Sequence, residues 1–313
     1  MKTTEIFTSQ LPVGEKLSIK RTRFEPKNGG KNLKRISIVS GIHGDELEGQ
    51  LVIFLLAKWL NENIDKLEAI VDIYPAVNPL GIDTITRSFP NYDVDLNRAF
   101  PGGENEFLPG QVVHALAQDI KGSDIAIDIH SSNIFLREIP QIRINKQFSK
   151  QTLPLAKQLN CDFIWIHDAV TVLEATFSHT LNLLGTNTLV VEMGVGMRLT
   201  KEYGQQLLVG ILNLMKKQKM INTKEKFETR KPFSSEKGEV FYINAPKSGL
   251  FVPSLDHCDI IKKDEKIGEI VDPLSGEVLS ELFAPNGGIL FTLREYPVVY
   301  EGSLLARIFG ERK

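Results

Sequence analysis

Four short segments carry residue types that together could hold a metal ion and activate water. His43-Gly44-Asp45-Glu46 offers an imidazole and a carboxylate three residues apart. Asp128-Ile129-His130 offers a second imidazole. Asp95-Leu96-Asn97-Arg98 offers an acceptor, an amide and a guanidinium, and Val190-Val191-Glu192-Met193-Gly194 places a carboxylate at the end of an apolar run. Zinc accepts imidazole nitrogen and carboxylate oxygen at roughly 2.0–2.2 Å, and a catalytic zinc takes three protein ligands and keeps one position open. His43, Glu46 and His130 make such a set. Glu192 is then the carboxylate such a site needs to activate water, since a charge closing a buried strand is costly unless paired or used. Each segment alone is a weak signal. His-x-x-Glu also reads as a first helical turn in which Asp45 and Glu46 favour the dipole, and His130 as an ordinary strand-end histidine. The other histidines (His114, His167, His179 and His257) have no comparable setting and read as structural.

The elements that must position these groups alternate. Strands are expected near 36–40, 70–76, 124–129, 140–145, 162–166 and 187–192, from apolar and β-branched runs. Helices are expected near 46–62, 109–121, 149–159, 172–184 and 201–219. In the last of these Leu207, Leu208, Ile211, Leu212 and Met215 form one stripe. Such alternation predicts an α/β fold, a sheet covered by helices on both faces. His43 and Glu46 fall in a strand-to-helix loop and His130 at a strand end, where open α/β sheets build their sites. Residues 79–109 read as a long loop, of the kind that commonly carries function. Near 221–235 the chain becomes polar, and short strand-like runs with turns follow, which predicts a small all-β region. The expected division is 1–225 and 235–313.

The ordered set resembles the succinylglutamate desuccinylase/aspartoacylase family, a branch of the carboxypeptidase-A-like zinc hydrolases. Gly41 to Glu46, Val77-Asn78-Pro79-Leu80-Gly81, Asp95 to Gly102, Asp128 to Ser131 and Val191 to Gly194 carry the resemblance. The short, uncharacterised deacylase-like members are the nearest in pattern. The resemblance implies a mixed sheet of the zinc carboxypeptidase type, with one zinc per chain held by His43, Glu46 and His130. It implies that Glu192 takes a proton from zinc-bound water, that Arg87 polarises the scissile carbonyl, and that Asn97 and Arg98 hold a substrate carboxylate. Asp95 would accept from the outer nitrogen of His43, and Arg143 lies where relatives carry another substrate-facing arginine. The C-terminal region also resembles the hammerhead of biotinyl and lipoyl carriers, through Asp264 to Gly268 and Ala284 to Gly288. Its central turn, Asp272 to Glu277, has no lysine to modify, so a cap or an oligomer contact is expected there instead of a carrier.

Composition narrows the classes. A hydrophobic share of 42% and a charged share of 24% are ordinary for a globular protein. A net charge of −2 without a basic run argues against nucleic acid, and the longest apolar run, Leu51 to Leu60, contains Lys58 and is too short for a bilayer. The N-terminus lacks a signal-peptide core, and two cysteines, Cys161 and Cys258, read as free thiols in a reducing compartment. The expectation is therefore a cytoplasmic zinc amidohydrolase that acts on a small N-acyl amino acid. Edge strands of the C-terminal region offer a route to homo-oligomers. A metallocarboxypeptidase would use the same zinc, base and arginine, and a non-catalytic binding relative would lack one of them.

Overall fold

In the computed structural model, residues 1–168 and 174–311 are described. The chain begins with a hairpin, β1 (Lys2–Gln10) and β2 (Lys16–Phe24), followed by β3 (Arg35–Ser40), β4 (Ile70–Tyr74), β5 (Ile125–Ser131), β6 (Leu136–Asn145), β7 (Phe163–His167) and β8 (Asn187–Gly194). The helices α1 (Glu48–Glu62), α2 (Pro79–Thr84), α3 (Leu108–Ile120) and α4 (Ser149–Ala156) lie between them, with further helices at Phe177–Leu183 and Lys201–Lys217. The expected helix near 172–184 is thus present from Phe177; its first two residues lie outside the described residues. The N-terminal hairpin was not among the expected strands. Residues 79–109 are more ordered than a loop, because α2 and a tight turn at Leu96–Arg98 fold within them.

β4, β3, β5 and β8 run parallel, and β2 and β6 flank them antiparallel. Strand alternation sorts their side chains. Ile36 and Ile38 of β3, Ile125, Ile127 and Ile129 of β5, and Leu189, Val191 and Met193 of β8 face a core shared with α1 and helix Lys201–Lys217. Val39 and Ala126 face the opposite core, with α3 and helix Phe177–Leu183. Helices therefore cover both faces. The stripe Leu207, Leu208, Ile211, Leu212 and Met215 is buried in the first core, as its spacing requires. The same alternation puts Asp128 and His130 of β5, and Val190 and Glu192 of β8, on the second face. No helix among the described residues is long and apolar enough to cross a membrane.

The C-terminal strands are β9 (Phe233–Ser234), β10 (Gly238–Asn244), β11 (Gly249–Pro253), β12 (Ile260–Ile261), β13 (Lys266–Asp272), β14 (Glu277–Phe283), β15 (Gly288–Arg294), β16 (Val298–Val299) and β17 (Leu304–Glu311). Four of them form a separate sheet in the order β14-β13-β11-β16, which shares a core with β10, β12, β15 and β17. The others extend the large sheet. β15 pairs with β6 through Thr292 and Glu138, Leu293 and Arg137, and Arg294 and Leu136, and β17 and β10 continue outward from β15. Hydrogen-bonded backbone thus joins the C-terminal region to the strand beside Glu192.

Candidate metal centre and active site

β3, β5 and β8 end at one edge of the sheet, and the site lies there. In the parallel register Ser40 is opposite Ile129, and His130 is opposite Glu192. The turn after β3 then carries His43 and Glu46 over these strand ends before α1 starts. Two glycines make that turn possible. A Cβ on Gly44 would lie 2.0 Å from the carbonyl carbon of Gly81, so the metal-ligand turn and α2 touch backbone to backbone. Gly194, at φ +68°, follows Glu192 where a Cβ would meet the Glu48 carboxylate at 2.0 Å. Glu48 is buried and accepts from the backbone N–H and hydroxyl of Thr200 at 2.8 and 2.7 Å.

His43, Glu46 and His130 converge, all buried, with one potential ligand atom from each within 4.8 Å of the others. His43 Nε2 is 2.9 Å from Asp95 Oδ1, and His130 Nε2 is 2.8 Å from Asp128 Oδ2. These acceptors assign the ring protons outward, which is how metal-bound histidines are held. The inward Nδ1 lone pairs are then 3.2 Å apart, and Glu46 oxygens lie 2.7 and 2.8 Å from them. Acceptors face acceptors, an arrangement that only positive charge between them satisfies. The titration behaviour has the same sense. Burial alone would raise Glu46 and lower the imidazoles. Instead the two histidines hold Glu46 below its ordinary range, while Glu46 with Asp95 raises His43, and Asp128 with Glu46 raises His130. The residues fit a divalent cation, and the His₂-carboxylate donor set is one that zinc takes.

Around this centre, Asp95 accepts from Asn97 N–H at 2.8 Å as well as from His43, and from Arg87 Nη2 at 3.1 Å. Burial works against its ionisation, but the His43 hydrogen bond and the Arg87 and Arg98 charges hold it low. Arg87 Nη1 donates to Glu46 at 2.8 Å, and its side chain stays 40% exposed, open to the cavity. The Asn97 amide oxygen accepts from Phe177 N–H at 2.9 Å, which leaves its NH₂ group 3.5 Å from His130 Nε2. Arg98 bonds only its neighbour's carbonyl, at 2.7 Å, and makes no ion pair among the described residues. Glu192 is 15% exposed, and Arg143 Nη1 lies 3.1 Å from its Oε1. Burial raises the Glu192 carboxyl above its ordinary value, against the lowering effect of Arg143 and His130.

His43, Glu46, His130, Arg87, Asn97, Arg98, Arg143 and Glu192 line one cavity of about 390 Å³, a size suited to a small molecule. Arg143 is placed there differently from a free substrate arginine, because carboxylates already occupy it: Glu138 at 2.8 Å and Glu192 at 3.1 Å. His167 and His179, which the sequence alone leaves structural, also line the cavity, as do Glu138 and Arg307. Asp128 had a legible signal. An Asp two residues before a ligand histidine on a strand faces the same way. Glu138 and Arg307 had none, since their meeting depends on the pairing of β6, β15 and β17.

The family model of the succinylglutamate desuccinylase/aspartoacylase catalytic domain matches residues 32–217, more than half of the chain. The chain belongs to this family. Mouse aspartoacylase is 38% identical over 69 residues, a match that covers 22% of this chain and 20% of that protein's length. Among solved structures, a succinylglutamate desuccinylase/aspartoacylase from Rhodobacter sphaeroides superposes with a TM-score of 0.79 at 24% identity, covering 96% of this chain and 90% of that one. The product-bound ectoine utilization protein EutE (DoeB) from Ruegeria pomeroyi gives 0.81 at 16% identity, covering 98% and 95%. An aspartoacylase family protein from Mesorhizobium loti gives 0.78 at 19%, covering 100% and 95%. At these identities the structures establish the fold, and their coverage includes the C-terminal region. The nine residues singled out from the sequence, from His43 to Glu192, all fall within the matched span 32–217.

Proposed function

We propose that this desuccinylase/aspartoacylase-family protein is a zinc-dependent amidohydrolase that cleaves the amide of a small N-acyl amino acid, releasing a carboxylic acid and an amine. The observation that carries the reading is the excess of inward-facing acceptors at His43, Glu46 and His130, beside a buried carboxylate on the neighbouring strand. Zinc, when bound there, supplies a Lewis acid for the carbonyl and for the attacking water. Glu192 takes the proton of that water and returns it to the leaving nitrogen, a task helped by its raised pKa. Arg87, anchored by Glu46 and Asp95, offers a guanidinium toward the developing oxyanion. Arg98 makes no ion pair among the described residues and sits next to the pre-oriented Asn97 amide, so it is the group available to a substrate carboxylate.

The region 235–313 is taken as a second unit that narrows the cleft over a small substrate. The hairpin β13–β14 turns at Asp272–Glu277 without a lysine, which supports a hammerhead-like form with no carrier role. Exposed apolar side chains on β14, including Val278 and Phe283, give a homo-oligomer contact a place to form.

Metal analysis and hydrolysis of a panel of N-acyl amino acids and short peptides, for wild type and Glu192→Gln, tests the reading. One zinc per chain, with N-acyl amino acid hydrolysis lost in the variant, is expected. Activity on peptides alone would make the protein a carboxypeptidase, and neither metal nor turnover would make it a binding relative.

A further inference from the structure

Glu138, on β6, is 1% exposed and has both oxygens filled. Oε1 accepts from Arg307 Nη1 at 2.7 Å and from Arg143 Nη2 at 3.1 Å. Oε2 accepts from Arg143 Nη2 at 2.8 Å and from Gln141 Nε2 at 2.7 Å. Thr292 Oγ1 of β15 adds a contact at 3.5 Å. Arg143 is thus held on one side by Glu138, and its Nη1 is presented to Glu192 at 3.1 Å. The Trp165 ring spaces the two arginines, with guanidinium carbons 5.6 Å (Arg143) and 5.5 Å (Arg307) from its centroid. The result is a chain of alternating charge, Glu192–Arg143–Glu138–Arg307, with two charges of each sign.

The order of that chain matters. A buried carboxylate needs its partners, so Glu138 has a fixed place, and a planar guanidinium gripped at one end has a fixed direction at the other. Arg143 Nε makes no hydrogen bond among the described residues, so its orientation depends on the contacts at its two terminal nitrogens. A substrate carboxylate arriving at Arg143 would have to displace Glu138 or Glu192, whereas Arg98 makes no ion pair among the described residues. Arg307, the last member, comes from β17, far along the chain from the metal ligands.

We infer that Glu138 and Arg307 are positioning residues that act through Arg143 to fix the Glu192 carboxylate in the site, so that the C-terminal segment completes the active site. The inference rests on the reading of Glu192 as the general base.

The test uses the full-length, zinc-loaded protein and the variants R307A and R307K, with metal content, steady-state kinetics and crystal structures as readouts. R307A is expected to keep its metal and its KM while kcat falls by up to about 100-fold, the scale of a small misplacement of a reacting group. R307K restores much of kcat, because its ammonium supplies the charge that Glu138 needs. In the R307A crystal, Arg143 has turned away from Glu192. A raised KM at unchanged kcat would overturn the inference and make the arginine pair a substrate reader. An unchanged Arg143–Glu192 contact would overturn it too. If the wild-type protein hydrolyses nothing on the panel, the amidohydrolase reading falls by itself, and the crystal comparison still decides whether Arg307 sets that contact. If R307A does not fold, R307K and R307Q carry the same readouts.

Discussion

Asp72, in the middle of β4, and Glu46, in the turn between β3 and α1, are both buried carboxylates, and their surroundings differ. Asp72 receives Arg23 at 2.7 Å through two nitrogens and Arg35 at 2.6 Å, with Arg21 at 3.7 Å. Arg21 also binds Asp119, and the Tyr74 hydroxyl donates to Asp119 at 2.7 Å. Burial and Asp119 hold the Tyr74 phenol above its ordinary value, so it remains a donor. Every acceptor there has a donor. Glu46, in the turn after β3, accepts from Arg87 and from Ser131 N–H but also faces two imidazole lone pairs, and the protons of those rings are directed outward to Asp95 and Asp128. A buried cluster whose charges close on themselves is structural, and one with acceptors left over is built for a cation.

The sharpest way to break this comparison is at the base. Glu192→Gln should retain zinc and lose roughly 100- to 10,000-fold in kcat, the range for a general base; stopped turnover with metal intact is the expected pairing, and near-normal turnover would remove Glu192 from the chemistry. The closed cluster should respond in the opposite currency. Asp72→Ala strands Arg23 and removes a carboxylate partner from Arg35 and Arg21, and should cost about 3–5 kcal/mol of stability by denaturant titration, with KM and metal content kept. A variant that unfolds easily but also loses zinc would blur the distinction between the two clusters. Arg98→Ala should raise KM for carboxylate-bearing substrates by about 1.5–3 kcal/mol, the value of a charged hydrogen bond, and leave neutral analogues untouched. An equal loss for both would move carboxylate recognition elsewhere. Asp128→Asn keeps the fold and weakens the His130 support, with an expected drop of about 10- to 100-fold in metal affinity, read by competition with a chelator.

Much of the site was legible because its signals are local. His43 and Glu46 sit within one turn, Asp95 to Arg98 within another, and Glu192 is a charge at the end of a β-branched run, where burial calls for a partner or a role. The core elements were legible for the same reason: their apolar periods, 2 for strands and 3.6 for helices, are properties of consecutive residues. The N-terminal hairpin escaped because Lys2–Gln10 is mostly exposed or half-buried and shows no strong alternation. The order inside residues 79–109 escaped because it depends on side-chain caps, Asn78 on Gly81 N–H and Asp95 on Asn97 N–H, and not on an apolar pattern.

The sequence by itself determined which residues could ligate, accept and donate, and which strands would be buried, since those follow from residue chemistry and short-range periodicity. Only the tertiary structure decided what each charge faces. The family resemblance offers Arg143 to a substrate, while the register of β6 against β8 and β15 delivers it to Glu192 and Glu138, and brings Arg307 from the far end of the chain to Glu138. Pairing between strands distant in sequence is set by the global sheet order, and the energy of a buried charge depends on its neighbours in space, so neither could be read from the residues in line.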